Sequence, residues 1–362
     1  MTARDSFLQI GAVYQGLVPA CPGMPDTQQI KADLVRCGLL SGRDITLTPL
    51  TGGVSSDIQL ASDGERTFVI KQALAQLKVD DLWQADVSRN RTEQAFMRHV
   101  STFLPHSVPR IVHCNNELNY FAMDYLAGFR DWKSILLAGD ADASRARRAG
   151  EMLGAIHRAT WNDQSLLDRF DTTKSFHALR TEPYLLTAAA RNPDLAARIR
   201  AEARRLENTR LCLIHGDYSP KNIMIGPDRM VLLDCEVAWY GEPAFDTAFL
   251  FNHFLLKALF RRDNHMQFIS LVHAAWRGYR QGRGDMEPDM EQRTGRLLLM
   301  LMLARVDGKS PAEYLRSDRR KCAVREFVHE LLPREVFDLA DICRRWARWL
   351  ETIEGEADDE NQ

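Results

Sequence analysis

The chain has 362 residues, of which 45% are hydrophobic and 27% charged, and its formal net charge at pH 7 is −2. This length is sufficient for two domains or two well-packed lobes, and the composition is ordinary for a globular protein. The near-neutral charge gives no electrostatic reason to expect nucleic acid or an anionic membrane as a partner, although a local basic site for an anion is compatible with it.

The cysteines and the amino terminus exclude several further classes. Seven cysteines are scattered along the chain without a C-x-x-C pair, which argues against a disulfide framework and against a thiolate zinc site. Residues 1–16 lack a basic segment followed by an apolar one, and the apolar stretch at 249–260 is interrupted by polar side chains. We therefore expect a cytoplasmic protein without a membrane partner.

The first third of the chain is predicted to be a small antiparallel sheet with two helices. Residues 26–40 have a helical apolar stripe, a capping residue at 26 or 27, and a glycine stop at 38 or 42. A second helix is expected over about 85–103, before two prolines. Turn signals separate five extended segments, which are predicted at 45–50, 57–60, 67–71, 110–114 and 119–125.

The remaining chain is predicted to be mostly helical, so that residues 1–126 form one lobe and 127–353 a second. The change to helical periodicity follows Gly128. Residues 354–362 are acidic and polar and are predicted to be disordered. Short β-like runs are expected at 211–214, 223–225 and 230–233, and helices at 142–161, 194–207, 244–261, 264–280, 289–305 and 335–352.

The segment from His215 to Asp234 contains residue types that phosphoryl transfer requires. Asp217 and Asn222 are five residues apart in a loop between two β-like runs, and Asp234 ends the next run. Transfer to a hydroxyl needs a carboxylate near the acceptor proton and oxygen ligands for Mg²⁺. We assign Asp217 as the catalytic residue and Asn222 and Asp234 as the metal ligands, at the spacing of the protein-kinase catalytic loop.

The full pattern departs from protein kinases and resembles another superfamily. Gly216 stands where protein kinases have Arg, and Asp234-Cys235-Glu236 stands where they have Asp-Phe-Gly. The combination H-G-D-x4-N followed by D-x-E-x-A-x-x-G-x-P-x-x-D, which ends at Asp246, resembles the aminoglycoside phosphotransferase and choline kinase superfamily. This resemblance implies an α+β, protein-kinase-like fold with a small antiparallel β-sheet lobe, a helical lobe, ATP and Mg²⁺ between them, and a small-molecule hydroxyl acceptor.

The first lobe contains the residues expected to bind the nucleotide. Lys71 ends a strand, as the phosphate-binding lysine of kinases does, and Glu93 on the following helix is its expected partner. Residues 51–56 resemble the short nucleotide loop of the family, and residues 123–126 fall where its adenine-binding hinge lies. The predicted nucleotide contacts are Gly52, Gly53, Ser55, Lys71, Glu93, Met123 and Tyr125.

Neighbouring residues have structural or undecided roles. His215 is expected to organise the loop by hydrogen bonding, because Asp217 already fills the role of base, and His157 is expected to be a satisfied core histidine. The resemblance implies that Asp246 braces the loop, whereas Glu236 contacts metal, contacts substrate or orients the loop.

Residues 308–310 resemble the end of a phosphate-binding P-loop, but the sequence lacks the first glycine of that motif and the strand that should precede it. Arg305, Asp307 and Lys309 line an acceptor pocket or form a solvated helix end.

The acceptor is not determined by the sequence. Residues 83–93 and 240–246 resemble 5-methylthioribose kinases, which usually have Asp-Pro-Glu at residues 234–236, so methylthioribose or a related sugar or amino alcohol is the leading candidate. The alternatives are choline, homoserine or an aminoglycoside as acceptor, or a non-catalytic pseudokinase that only binds ligands. The oligomeric state is not predicted.

Overall fold

The computed structural model describes residues 27–42, 44–50, 56–73 and 89–353. Its first part is a five-stranded antiparallel sheet in the order β1-β2-β3-β5-β4. The five predicted strands are confirmed. They are β1 (Thr46–Pro49), β2 (Ser56–Ser62), β3 (Thr67–Ala73), β4 (Ile111–Asn115) and β5 (Tyr120–Asp124).

Two helices cover opposite faces of this sheet. Helix α1 (Thr27–Arg36) packs on a small core that contains Ile70, whereas α2 (Arg89–Val100) contributes Phe96 to the main core beside Val69. Because successive side chains of a strand point to opposite faces, Val69 and Ile70 separate the two cores. Lys71 follows on the α2 side of β3.

The rest of the described chain is mostly helical. Most predicted helices are confirmed within a few residues of their ends. The helices are α3 (Trp132–Leu137), α4 (Ala143–Ala159), α5 (Thr173–Phe176), α6 (Thr187–Arg191), α7 (Ala196–Asn208), α8 (Pro243–Phe260), α9 (His265–Arg283), α10 (Met290–Asp307), α11 (Asp318–Leu331) and α12 (Leu339–Thr352).

Short strands frame the loop that carries the motif. Strand β7 pairs with β10, and β8 pairs with both β6 and β9. The three β-like runs that the sequence predicts correspond to β7, β8 and β9. These strands are β6 (Arg130–Asp131), β7 (Cys212–Ile214), β8 (Ile223–Ile225), β9 (Met230–Leu232) and β10 (Trp239–Gly241).

Several elements were not predicted from the sequence: β6, α3, β10, α11 and the helical stretch from α5 to α6. Between α5 and α6 the chain continues as a π-helix, His177–Leu186, with Pro183 inside it. A π-helix does not repeat every 3.6 residues, and a proline normally ends a helix, so the usual sequence signals fail there.

Glycines allow α4 and α9 to touch through their backbones. A Cβ atom at Gly150 would lie 2.0 Å from the Ala275 carbonyl oxygen, and one at Gly278 would lie 1.9 Å from that of Arg147. Side chains at these positions would push the helices apart. Helix α4 also packs against Cys212–Ile214, the strand that precedes the motif.

The predicted division between residues 126 and 127 remains a prediction, and residues 354–362 lie outside the described part. Among the described residues, none of the helices has both the length and the apolar character needed to cross a bilayer. The six cysteines in those residues are all unpaired.

Candidate active site

The motif loop connects β7 to β8 and depends on a glycine. Gly216 has φ +75°, which favours glycine, and a Cβ there would lie 2.4 Å from the carbonyl oxygen of Val237. The arginine found at this point in protein kinases would not fit. The backbone conformation of this loop therefore explains why residue 216 is glycine and not the arginine of protein kinases.

A buried aspartate on α8 binds the backbone of the loop. The carboxylate of Asp246 accepts hydrogen bonds from the backbone amides of His215 (2.6 Å) and Gly216 (2.9 Å). His157 of α4 lies 3.5 Å from the same carboxylate and is hydrogen-bonded to the hydroxyl of Tyr279 at 3.0 Å. The prediction for Asp246 as a brace is confirmed. His157 is buried in the core as predicted, but it is not fully satisfied, because its Nε2 has no hydrogen-bond partner among the described residues.

His215 links two parts of the site through both ring nitrogens. Its Nδ1 accepts from the backbone amide of Asp217 at 3.2 Å, and its Nε2 lies 3.0 Å from the carbonyl oxygen of Leu233. An acceptor at Nδ1 requires the neutral ring, with the proton on Nε2. Burial lowers the pKa of His215, which favours the same form. The loop-organising role is confirmed.

Asp217 lies buried between two cations. Its Oδ2 is 3.1 Å from Arg180 Nη2 and 3.1 Å from Lys221 Nζ. Burial opposes ionisation, but Lys221 and Arg180 outweigh it, so the pKa of Asp217 is lowered and the carboxylate is charged at neutral pH. The group is suited to orienting a hydroxyl by its charge.

Asn222 and Asp234 are brought together by the backbone. Asn222 accepts at its carbonyl from the amide of Leu233 (2.8 Å), so Asp234 follows directly beside it. The Asn222 side chain donates from Nδ2 to the carbonyl oxygen of Asp217 at 3.0 Å, which orients its amide. Asp234 has φ +60°, a left-handed conformation that is uncommon outside glycine and is often found at functional sites.

Lys71 connects the sheet to this loop. Its Nζ is 2.8 Å from Glu93 Oε2 and 2.6 Å from Asp234 Oδ1. Burial is the largest influence on the pKa values of both Glu93 and Lys71. It raises the pKa of Glu93, and the charge of Lys71 opposes that shift. For Lys71, the Asp234 and Glu93 carboxylates outweigh burial and raise the pKa, so the ammonium stays charged.

Glu236 adds a third carboxylate. It forms an ion pair with buried Arg89 at 3.2 Å, and carboxylate oxygens of Glu93, Asp234 and Glu236 lie within 4.8 Å of one another. Oxygen donors of this kind suit Mg²⁺. Asn222 and Asp234 stay the predicted metal ligands, and Glu236 and Glu93 offer further carboxylate oxygens beside Asp234.

The predicted nucleotide loop lies outside the described residues, including Gly52, Gly53 and Ser55. Of the two hinge residues, Met123 is buried in the main core, whereas Tyr125 is exposed. Tyr125 also lines a cavity of about 710 Å³ that contacts none of Lys71, Asp217 and Asp234. The adenine contacts at Met123 and Tyr125 stay predictions.

Sequence reasoning missed Arg180. It lies on the π-helical stretch and binds the loop twice, donating from Nε to the carbonyl oxygen of Gly216 at 2.5 Å while Nη2 contacts Asp217. Arg180 precedes Asp217 by 37 residues in the sequence, and nothing in that spacing indicates that the two side chains are in contact. Lys221 was inside the motif, four residues after Asp217, and its contact could have been inferred from helical-turn spacing.

The segment that imitates a P-loop has another role. Asp307 binds Arg325 at 2.8 Å and Asn192 at 3.0 Å, so it is a structural acid. Lys309 pairs with Glu182 on the π-helical stretch at 2.9 Å. The third residue considered for an acceptor pocket, Arg305, lies 6.0 Å from the ring centre of Tyr184. The same ring is 5.8 Å from the guanidinium of Arg180, so Arg305 lies nearer the motif loop than its position in the sequence suggests.

Solved structures share this architecture. The amicoumacin kinase hAmiN, solved with AMP-PNP, Ca²⁺ and its ligand Ami, has a TM-score of 0.54 at 13% identity over 88% of this chain and 100% of that one. An aminoglycoside phosphotransferase from Alicyclobacillus acidocaldarius has a TM-score of 0.51 at 15% identity over 95% and 99%. At these identities the likeness shows the fold alone, and it confirms the predicted kinase-like α+β class.

Relatives by sequence include methylthioribose kinases. That of Bacillus pumilus is 26% identical over 231 residues, which cover 56% of this chain and 58% of the relative. Methylthioribose kinase 2 of Oryza sativa is 24% identical over 268 residues, which cover 65% and 62%. The chain thus spans about three fifths of the length of these relatives. Residues 46–288 match the phosphotransferase enzyme family (APH), and the chain belongs to that family.

Proposed function

We propose that the protein is a small-molecule kinase that transfers the γ-phosphate of ATP to a hydroxyl group. The observation that carries this proposal is the contact between Lys71 of the sheet and Asp234 of the motif loop, at 2.6 Å. It joins the expected phosphate-binding cation to the expected metal ligand, beside Asp217 and Asn222. A protein that only bound a ligand would have no physical need for this combination of groups.

In this proposal Lys71 contacts the phosphates, and Glu93 fixes its position from α2. Asn222 and Asp234 hold Mg²⁺, with Glu236 close enough to assist. When bound, the metal supplies positive charge that offsets the charge of the transferring phosphoryl group. The bond from Asn222 Nδ2 to the Asp217 carbonyl oxygen leaves the side-chain oxygen as the donor to a cation.

Asp217 orients the acceptor hydroxyl and takes its proton. Arg180 and Lys221 lie against Oδ2, so Oδ1 is the oxygen proposed to face the hydroxyl. The lowered pKa of Asp217 makes it a weak base. Its main contribution is therefore to position the nucleophile, with proton removal late in the transfer.

The acceptor is proposed to be a small alcohol. Relatives named methylthioribose kinase support methylthioribose or a related sugar as one candidate. An amino alcohol is a second candidate, and a polycationic aminoglycoside is less suited to a site where two cations flank Asp217. A pseudokinase is disfavoured because Lys71, Asp217, Asn222 and Asp234 are all present and in one site.

The test is ATP consumption by purified protein with a panel of sugars, amino alcohols, hydroxy acids and aminoglycosides. We expect at least one acceptor to stimulate ATP consumption above the rate with water alone, and a chelator to abolish the stimulation. Magnesium-dependent nucleotide binding, measured by calorimetry, is the second measurement. Absence of both stimulation and nucleotide binding would contradict the proposal.

A further inference from the structure

A row of aromatic and then basic side chains, most of them buried, leads away from Asp217. The guanidinium of Arg180, which contacts Asp217, lies 5.8 Å from the ring centre of Tyr184 and 5.9 Å from that of Phe249. The two rings are 5.7 Å apart and come from the π-helical stretch and from α8. They therefore connect the catalytic aspartate to the residues next along α8 and α10.

Three basic residues, His253, Lys257 and Arg305, follow these rings, and we call them the cationic cluster. The His253 ring is 5.4 Å from that of Phe249, and Arg305 is 6.0 Å from the Tyr184 ring. Lys257 lies one helical turn beyond His253 on α8. His253 and Arg305 are thus linked to Arg180, and through it to Asp217, by ring contacts of 5.4–6.0 Å, and Lys257 is next to His253 on α8.

Lys257 and Arg305 of the cluster form no ion pair with a carboxylate in the described part of the chain. Lys257 is 1% exposed, yet no carboxylate of the described residues lies within ion-pair distance of it, and its ammonium contacts the Tyr314 ring at 4.8 Å. Arg305 likewise pairs with no described carboxylate and donates to the Ser310 hydroxyl at 3.0 Å. Glu313 and Asp131 attract Lys257 without pairing with it, and Glu313 already pairs with Lys133.

Buried nitrogen atoms of the cluster are also unsatisfied. Neither Nδ1 of His253 nor Nε of Arg305 has a hydrogen-bond partner within the described ranges. His253 is 7% exposed, so solvent does not replace the missing partner. An unpaired buried donor or charge costs folding free energy, and such groups are usually paired.

The electrostatic consequence is seen at Lys257. Burial, followed by repulsion from Lys133 and Arg305, lowers its pKa to about 7. The same causes, burial first and then Lys257 and Arg305, place the pKa of His253 well below its usual value. A bound anion would reverse both repulsions and provide the missing hydrogen-bond acceptors.

We propose that the acceptor of this enzyme carries an anionic group, a carboxylate or a phosphate, which binds at Lys257 and Arg305 while the acceptor hydroxyl reaches Asp217. The inference rests on the proposed kinase activity and narrows its acceptor class. Polycationic and quaternary ammonium acceptors are repelled by the cluster. An uncharged sugar such as methylthioribose leaves it unused.

The test compares three alcohols that share two adjacent hydroxyl groups and differ in the group on the third carbon: glycerol (hydroxyl), D-glycerate (carboxylate) and glycerol 3-phosphate (phosphate). Each is titrated by calorimetry, at constant ionic strength, into protein saturated with Mg²⁺ and AMP-PNP, so that the nucleotide site cannot take the anion. We expect glycerate, glycerol 3-phosphate or both to bind about tenfold or more tightly than glycerol. The preferred anion identifies carboxylate or phosphate as the recognised group.

The matched variants are Lys257→Met, which keeps side-chain length, and Lys174→Met, which removes an exposed lysine of the same lobe. Lys257→Met is expected to lose the anion preference and to raise the melting temperature of the ligand-free protein, because a buried amine without a carboxylate partner is replaced by an apolar side chain. Lys174→Met is expected to change neither. Arg305→Gln provides a second variant with the same loss of anion binding.

Two outcomes would overturn the inference: equal affinity for glycerol and both anions, or an anion preference that survives in Lys257→Met and Arg305→Gln. Failure of the kinase proposal has a different signature, in which the protein binds no Mg²⁺–nucleotide. The same titrations into nucleotide-free protein then still decide whether the cationic cluster binds an anion.

Discussion

At Lys71, one buried ammonium contacts carboxylates that come from distant parts of the chain. Glu93 precedes Asp234 by 141 positions in the printed numbering, and both lie within 3 Å of the same nitrogen. Such a buried arrangement adds little net stability while it is intact, but removing one partner leaves uncompensated charge. This favours the proposed role of the contact, which is to position groups for ligand binding.

Replacing Lys71 by alanine is expected to impair nucleotide binding more than acceptor binding, because the ammonium meets the phosphates and not the hydroxyl. The two carboxylates left behind are expected to reduce the free energy of unfolding by about 3–5 kcal/mol. Calorimetry on both ligands and chemical denaturation measure the two effects.

The control is Lys71→Ala combined with Glu93→Gln, which removes one of the unpaired charges. We expect this double variant to recover part of the stability but none of the nucleotide affinity. A Lys71→Ala protein that loses acceptor affinity and keeps nucleotide affinity would contradict the assignment.

Asp234→Asn tests the metal site with a side chain of the same shape, and asparagine also tolerates the left-handed backbone at this position. In wild-type protein, ATP at 100 times its dissociation constant adds about 2.7 kcal/mol of stability. We expect the variant to lose most of this stabilisation when Mg²⁺ is present and to remain folded. Thermal melting with and without ATP measures it.

Asp228, an exposed acid in the turn between β8 and β9, gives the matched control for that experiment. Asp228→Asn is expected to keep the full Mg²⁺-dependent stabilisation. Equal stabilisation of wild type and Asp234→Asn would remove Asp234 from the metal site.

At the scale of elements, the motif loop is held from two directions. Asp246 on α8 binds two of its backbone amides, and Arg180 on the π-helical stretch binds the Gly216 carbonyl oxygen and the Asp217 carboxylate. The planar guanidinium reaches both targets at once because its donors form a fixed fork. The π-helix matters to function because it sets the direction of Arg180.

Arg180→Lys tests this arrangement, since lysine keeps the charge but has no fork. We expect turnover to fall about tenfold with nucleotide affinity unchanged. The weaker contact should also raise the pKa of Asp217, so the acidic limb of the pH–rate profile should move to higher pH. A purely structural role for Arg180 would lower stability without moving that limb.

Arg191→Lys is the matched control, because Arg191 lies on α6 and donates to the carbonyl oxygen of Asp307, away from the loop. It is expected to leave both turnover and the pH profile unchanged. An identical effect of the two variants would exclude a specific role for Arg180.

The sequence predicted the elements whose signals are local. The five strands of the sheet alternate and are bounded by turn residues, and the motif has fixed spacing, so Asp217, Asn222 and Asp234 were found together. The π-helical stretch was missed because Pro183 and a changed period hide it. The cationic cluster was not found because residues near 253–257 and 305 meet only after α8 and α10 pack together.

At the scale of the whole molecule, the net charge of −2 conceals an uneven distribution. Carboxylates gather where a metal and phosphates are proposed to bind, and Lys257 and Arg305, which form no ion pair with a described carboxylate, lie on the proposed acceptor side. Composition excludes a strongly basic protein but does not exclude local sites of either sign. Asp217 lies between the two regions, because it pairs with Arg180 and Lys221 and belongs to the loop that carries the proposed metal ligands.

Turnover of Asp217→Asn, on an acceptor identified by the panel, tests the central claim most directly. Asparagine keeps the shape and hydrogen bonding of the side chain but removes the charge that attracts the hydroxyl proton. Positioned acid–base groups contribute about 10²–10⁴ in rate, so we expect a loss of about 10²-fold or more, with nucleotide affinity nearly unchanged and Asp228→Asn fully active. Retention of most of the turnover, with chemistry shown to be the slow step, would contradict the account.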